Sequence, residues 1–519
     1  MATSEGWHFL PSGRLITAVL LVLFGYRLFR IINNLFIHPL AKIPGPRAWS
    51  ASRLPLAWGI IKGSMLHDIQ ELHRKYGPVV RIAPNEVSFA SEESWREILQ
   101  HQPHQHQQQQ FLKDSVWWGN QPGLPTSIVT AIEPEKHGRI RKIILPGFSA
   151  SALRDQERAI QLYVNLLVDR LRDVIAEQQQ QRKKTSSKEG EEKEKEKEEA
   201  ATIDIVPWLN FTTFDIFGDL GFGEPFNCLL HAKYHPWIAL LFNSMKVAAF
   251  VAAARLYPVG EFILLKCIPP TLRKMQMDHY QQIDDRVHRR INMEVKHPDI
   301  MSHVMRGIGQ HDVPMSEISS TFMILTIAGS ETTATTLSGT INYLVNNPDK
   351  LEALAREVRG QFASLEDITL DGLRTLPYLD AVLREGLRLC PPIPFMLPRR
   401  VPTSVAIQAY TMNRDPAHFH EPDSFLPERW LPGSNDAPDS PFRDDRRQAM
   451  QAFSLGPRSC VGQPLAWAEL RLIVSKLVWA FDMEAVAERE KRVRWEDLRV
   501  FVLVEKRPIE IRMRARAVE

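Results

Sequence analysis

Cysteine is scarce in this chain. Only Cys228, Cys267, Cys390 and Cys460 occur among 519 residues, and no two stand at a paired spacing. That pattern indicates neither a disulfide framework nor a zinc site, and it fits a reducing compartment. Charge imbalance is also missing. With 64 basic against 61 acidic residues the formal net charge is +3, which makes no case for a nucleic-acid partner. No glycine pattern of the flavin- or dinucleotide-binding kind follows the last cysteine.

What is present is ample apolar material, 44% of the chain, enough for a sizeable core. Leu15 to Tyr26 is almost wholly apolar, and Leu28, Phe29, Ile31 and Ile32 continue the run around Arg27 and Arg30. From His8 to Ile32 the stretch is long enough to cross a bilayer if the arginines snorkel. A cleaved signal peptide and an interfacial helix are the alternatives, but no small-residue cleavage site is visible, so residues 1–32 read as a retained membrane anchor. The arginines on its C-terminal side place the rest in the cytoplasm. Pro39, Pro44, Gly45 and Pro46 then make residues 33–47 a stiff hinge.

Residues 48–519 read as one domain. Met65 to Tyr76 has helical spacing, and Pro78 to Phe89 alternates like strands. His101, His104 and His106 lie in a glutamine-rich run that reads as a solvated insertion rather than a metal site. Residues 178–199, glutamines followed by near-cancelling lysines and glutamates, cannot bury a core and read as a second low-complexity insertion. His235 to Pro270 is mostly apolar, with Phe242, Met245, Phe250, Leu256, Phe262 and Leu265.

Four short patterns carry chemistry. Cys460 sits in F-S-L-G-P-R-S-C-V-G, Phe453 to Gly462. Gly456 and Pro457 break regular structure before it, Gly462 permits close backbone approach after it, and Arg458 adds positive charge that favours a thiolate. Ala328 to Thr333, A-G-S-E-T-T, lies within a long helical stretch, Ile318 to Leu344. There Ala328 and Thr332 share a small, slightly polar face with Leu325, Gly329 and Thr336 that leaves room for a flat cofactor, and a mid-helix glycine costs about 1 kcal/mol against alanine. Glu385 and Arg388 stand at i and i+3 on one helix. His137 and Arg141 stand one turn apart.

The phrase F-x-x-G-x-R-x-C-x-G, filled at every fixed position, resembles the haem-binding signature of the cytochrome P450 family. The other three patterns are similar to family motifs and appear in the family order. N-F-T-T-F-D-I-F-G-D-L-G-F-G, Asn210 to Gly223, looks like fungal microsomal members of secondary metabolism. The resemblance implies a mainly α fold with a small β region and an N-terminal transmembrane anchor helix. It implies haem b (iron protoporphyrin IX) bound with Cys460 as axial ligand, alongside Phe453, Arg458, Ala328 and Gly329. His137, Arg141 and Arg400 become propionate partners, with Arg399 competing for the last role. Thr332 becomes a proton relay to iron-bound oxygen, fed by Glu331. Glu385, Arg388 and Arg429 of P-E-R-W become a buried structural network that fixes the cysteine loop.

The activity implied is mono-oxygenation of a lipophilic small molecule, with electrons from a separate NADPH-cytochrome P450 reductase and cytochrome b5 as a further partner. The implied location is the endoplasmic reticulum membrane, single-pass, with the catalytic domain on the cytoplasmic side. A terpenoid, polyketide or alkaloid is the implied substrate class. Sterol or fatty-acid hydroxylation and haem-thiolate isomerase or dehydratase chemistry are the alternatives. Between Arg400 and Asn413 the chain is shorter than the family pattern, lacking a glycine-rich β-hairpin and its P-x-G-T-like turn. Either the hairpin is trimmed or a coding segment is missing, which would leave an inactive product.

Overall fold

A computed structural model describes residues 13–100, 111–120, 123–185, 200–294, 297–310 and 312–516. His101, His104, His106 and residues 186–199 of the second insertion lie outside this set. Residues 178–185 continue a long helix.

The N-terminal helix α1 spans Gly13–Ile32 and continues as a π-helical turn over Asn33–Ile37. An apolar span of 23 residues, Leu15–Ile37, is long enough to cross a membrane. The helical run therefore extends five residues into the expected hinge. Arg30 donates to the Tyr26 hydroxyl at 3.1 Å, which ties its cation to an aromatic of the preceding turn.

The helices that matter for the site follow in order: α2 (Leu54–Lys62), α3 (Pro134–Ile144), α4 (Ala150–Thr185), α5 (Ile205–Phe222), α6 (Pro236–Arg255), α7 (Pro258–Cys267), α8 (Met315–Asn346), α9 (Pro377–Leu389) and α10 (Gln463–Ala480). Helix α5 is apolar on every side and all but one of its residues are buried, so it can only be a central core helix. It lies along α8, where Ser330 donates to the Thr213 carbonyl at 3.1 Å. Helix α9 packs on α8, and the 3₁₀ turn Pro427–Trp430 packs on α9.

Three small sheets complete the fold. The largest has the order β1-β2-β6-β5-β3, with β1 Val79–Ala83, β2 Glu86–Phe89, β3 Leu112–Lys113, β5 Met396–Val401 and β6 Thr403–Ile407. A second joins β4 (Ala201–Asp204), β10 (Glu510–Ala515) and β7 (Phe481–Ala485) in the order β4-β10-β7, and β8 (Val500–Phe501) pairs with β9 (Leu503–Val504). The short stretch after Arg400 is visible here. β5 turns directly into β6, with Val401 paired to Thr403 across Pro402 alone. The sheet thus closes without the expected hairpin.

Helices α6 and α7 form the expected apolar region, but several of its side chains face outward. Phe250 and Phe262 are exposed, as are Val259 and Ile263, while Leu256 is buried. The side chains of Phe242 and Met245 lie outside the described residues. Helix α2, packed on α6, exposes Leu54 and Trp58.

Candidate active site

The loop before α10 is built to hold one backbone path. Gly456 has φ +77°, and a Cβ there would lie 2.0 Å from the Leu99 carbonyl oxygen, so the residue must be glycine. The Cys460 N–H donates to the Phe453 carbonyl at 2.9 Å and closes the loop. The backbone N–H groups of Gly462 and Gln463 point at the Cys460 sulfur, as a thiolate requires. A Cβ on Gly462 would meet no described protein atom nearer than the Phe148 ring at 3.8 Å.

Cys460 keeps accessible surface, yet burial pushes its thiol pKa up. The two hold together when a side chain borders an internal void rather than bulk water. The charge that offsets this burial comes from Arg141, not from Arg458 as the sequence suggests. Arg141 donates to the Ser459 carbonyl at 2.8 Å, beside the sulfur. Arg458 turns the other way and donates to the carbonyls of Ala131 and Ile132, both at 2.6 Å.

Helix α8 shows the same local accessibility within buried surroundings. Ala328 is exposed and Thr332 partly so, in the middle of a helix whose flanking residues are buried. The Thr332 hydroxyl donates to the Ala328 carbonyl at 2.6 Å, the ordinary back-bond of a helical threonine. Gly329 does not leave room for a cofactor in the way the sequence suggests. Its missing Cβ admits the Phe217 ring of α5, which would otherwise lie 2.8 Å away. Glu331 is buried and turned to Lys506, to which it is ion-paired.

A cluster of buried cations lies beside the cysteine loop. His137 is buried, and burial followed by the fields of Arg458, Lys113, Arg141 and Arg399 lowers its pKa to about 3. Lys113 is lowered to about 6 by burial and by Arg458 and Arg399, and Arg399 to about 10 by burial and by Arg458. Arg399 Nε is buried without a hydrogen-bond partner among the described residues. Arg400 belongs to the opposite face of β5 and is exposed. Successive strand residues alternate sides, so only one of the adjacent arginines can reach the cluster, and it is Arg399. Lys113, which no sequence pattern marks, is paired directly with Arg399 across β3 and β5.

So many cations in low dielectric demand anions, because an unpaired buried charge is costly. Glu133 acts on Arg458 at the edge of the cluster. The orphaned Arg399 Nε and the mutual depression of these pKa values fit a buried group with two carboxylates.

The buried network behind the loop is larger than the sequence shows. Glu385 accepts from Arg388 Nη2 at 2.7 Å, Arg388 Nε at 2.8 Å, Arg429 Nε at 3.2 Å, the Leu426 N–H at 2.9 Å and Trp430 Nε1 at 2.8 Å. Arg429 also pairs with Asp445. The two guanidiniums thus meet two carboxylates, and the pairing with Arg388 and Arg429 holds Glu385 below the usual carboxylate range despite burial. Asp445 and Trp430 Nε1 are the members that motif reading missed.

With this geometry in place, the comparisons decide the family. The family model described as "Cytochrome P450" matches residues 44–512. The chain belongs to the cytochrome P450 family. It is 37% identical to the cytochrome P450 monooxygenase lcsI of Purpureocillium lilacinum, over 94% of this chain and 92% of that protein. It is 35% identical to the averantin hydroxylase of Dothistroma septosporum, over 95% and 90%, and 35% identical to the trichothecene C-4 hydroxylase of Trichoderma arundinaceum, over 95% and 96%. This P450 is therefore an oxidoreductase of the monooxygenase class with a haem-iron cofactor, and its mainly helical fold with small sheets is as expected.

Proposed function

We propose that this P450 inserts one oxygen atom from O2 into a lipophilic fungal secondary metabolite, a terpenoid, polyketide or alkaloid. The observation that carries the reading is the coincidence of three features: accessible surface at Cys460, accessible surface at Ala328 and Thr332 within a buried helix, and a cluster of buried cations beside the cysteine loop. We take these surfaces to border one cavity that holds haem b. The relatives named for averantin and trichothecene hydroxylation support the substrate class.

In this reading Cys460 would be the axial ligand, and His137, Arg141, Arg399 and Lys113 would meet the propionates. Arg458, anchored on two carbonyls, would brace the cluster's edge. The bound haem iron supplies oxygen activation and transfer. The protein's part is to hold the sulfur as a thiolate under the N–H groups of Gly462 and Gln463. Thr332 would present its hydroxyl proton to the cavity by leaving the Ala328 carbonyl, and Glu331 would resupply it. Glu385, Arg388, Arg429 and Asp445 keep the loop rigid.

Electrons would come from a separate NADPH-cytochrome P450 reductase, with cytochrome b5 as a further donor. The apolar span Leu15–Ile37 fits a single-pass anchor, and exposed Trp58 and Phe262 fit an apolar surface resting on the membrane. The proposed location is the endoplasmic reticulum membrane with the catalytic domain in the cytoplasm. The deciding experiment is a reduced, carbon-monoxide difference spectrum of the expressed protein, followed by a binding screen. A Soret band without the thiolate signature would overturn the assignment of Cys460.

A further inference from the structure

Among the described residues, the Glu331 carboxylate accepts from Lys506, while the Thr332 hydroxyl donates to the Ala328 carbonyl. Lys506, in the segment between β9 and β10, donates to Glu331 Oε1 and to Thr335 Oγ1, the latter at 3.0 Å. Thr335 donates in turn to the Glu331 carbonyl at 2.8 Å, so backbone and side chain of Glu331 are gripped together. Both charged side chains are buried, and Glu331 Oε2 has no hydrogen-bond partner among the described residues. The preceding residue, Glu505, accepts from Arg499 at 2.8 Å and is ion-paired with Lys246 of helix α6. Two adjacent residues of one short segment thus carry opposite charges to two different helices.

We propose that Glu505–Lys506 is a latch. Lys506 holds the Glu331 carboxylate, and Glu505 ties that hold to helix α6 through Lys246, so displacement of α6 by a ligand loosens it and frees Glu331 towards Thr332. The inference deepens the relay reading of Glu331 and rests on it for its catalytic consequence.

The electrostatics agree with the geometry. Among the described residues, the titratable groups facing Glu331 are the Lys506 ammonium and the Tyr234 phenol, whose own pKa the Glu331 charge raises. Burial pushes Glu331 up, and Lys506 pulls it back. Removing Lys506 leaves a buried carboxylate with no counter-charge, and such a group neutralises by taking up a proton.

The test is infrared difference spectroscopy on the full-length, haem-loaded ferric protein. Lys506→Met minus wild type is expected to show a protonated-carboxyl band that vanishes when Glu331→Gln is added. The protonated fraction of Glu331 is expected to rise, because burial then acts without the Lys506 charge. Lys506→Arg keeps the wild-type spectrum, and Lys246→Met shows the same band more weakly. A reduced carbon-monoxide spectrum confirms that each variant is intact; if Lys506→Met takes up no haem, Lys506→Gln serves for the same readout. Absence of a Glu331-dependent band overturns the latch, and a Lys246→Met spectrum identical to wild type overturns its tie to helix α6. A normal band change with an unaltered peroxide yield during turnover would instead overturn the relay reading of Glu331.

Discussion

Arg429 bonds Glu385 and Asp445 at once, and all three side chains are inaccessible to solvent. A guanidinium held between two buried carboxylates cannot lose either without leaving charge stranded. Asp445→Asn, which keeps the shape and removes the charge, is therefore expected to destabilise the protein by roughly 3–5 kcal/mol. Denaturant unfolding of the haem-loaded protein measures it. A loss under 1 kcal/mol would show that Asp445 contributes shape alone.

The adjacent arginines of β5 should separate cleanly. Arg399→Leu is expected to weaken haem retention, seen as faster haem transfer to an acceptor protein, whereas Arg400→Leu should leave retention unchanged because its side chain is exposed. Equal effects from both would refute the placement of Arg399 in the cation cluster.

Gly456→Ala should prevent a folded cysteine loop. The new Cβ meets the Leu99 carbonyl, backbone that cannot swing aside, in a conformation that side chains rarely adopt. Gly329→Ala presses only on the Phe217 ring, so it should lower the melting temperature yet keep the thiolate signature. Carbon-monoxide spectra and thermal melts of the two variants distinguish these outcomes.

Glu469 on α10 is buried, and burial, opposed by a Thr333 hydroxyl contact, pushes its pKa up to about 8. A carboxyl whose folded pKa is raised lends its full stabilisation below its unfolded pKa. That contribution is lost as pH rises from about 4.5 through about 8. Glu469→Gln, always neutral, is expected to flatten the decline in melting temperature between pH 5 and pH 8. A decline as steep as in the wild type would mean that Glu469 is ionised throughout.

Thr332→Ala should retain the thiolate signature while diverting reducing equivalents to peroxide. Coupled oxygen insertion in this variant, measured as product formed per NADPH consumed, would refute the relay role.

The parts legible in the sequence were those with short-range spacing. The cysteine loop and the Glu385–Arg388 pair lie within single local elements, so motif and helical period located them. The residues missed or misplaced depend on long-range pairing. Choosing Arg399 over Arg400 requires knowing which face of β5 meets the cluster, and Lys113 enters only because β3 pairs with β5. Asp445 and Lys506 come from irregular segments, and Lys506 meets Glu331 across 175 positions. Gly329 was read for the space it leaves, but the space is taken by Phe217 from a helix whose approach no local pattern encodes.

The joint at Pro402 has a consequence for how this protein can change. β5 and β6 pair right up to the turn, and β2 and β3 hold their outer edges. A hairpin inserted between Val401 and Thr403 would extend outward from a frame already complete, leaving every existing strand register in place. Length at this one position is uncoupled from the rest of the sheet. It is therefore the natural graft point for building a longer wall, and the place where two transcripts of one gene could differ without either losing the fold.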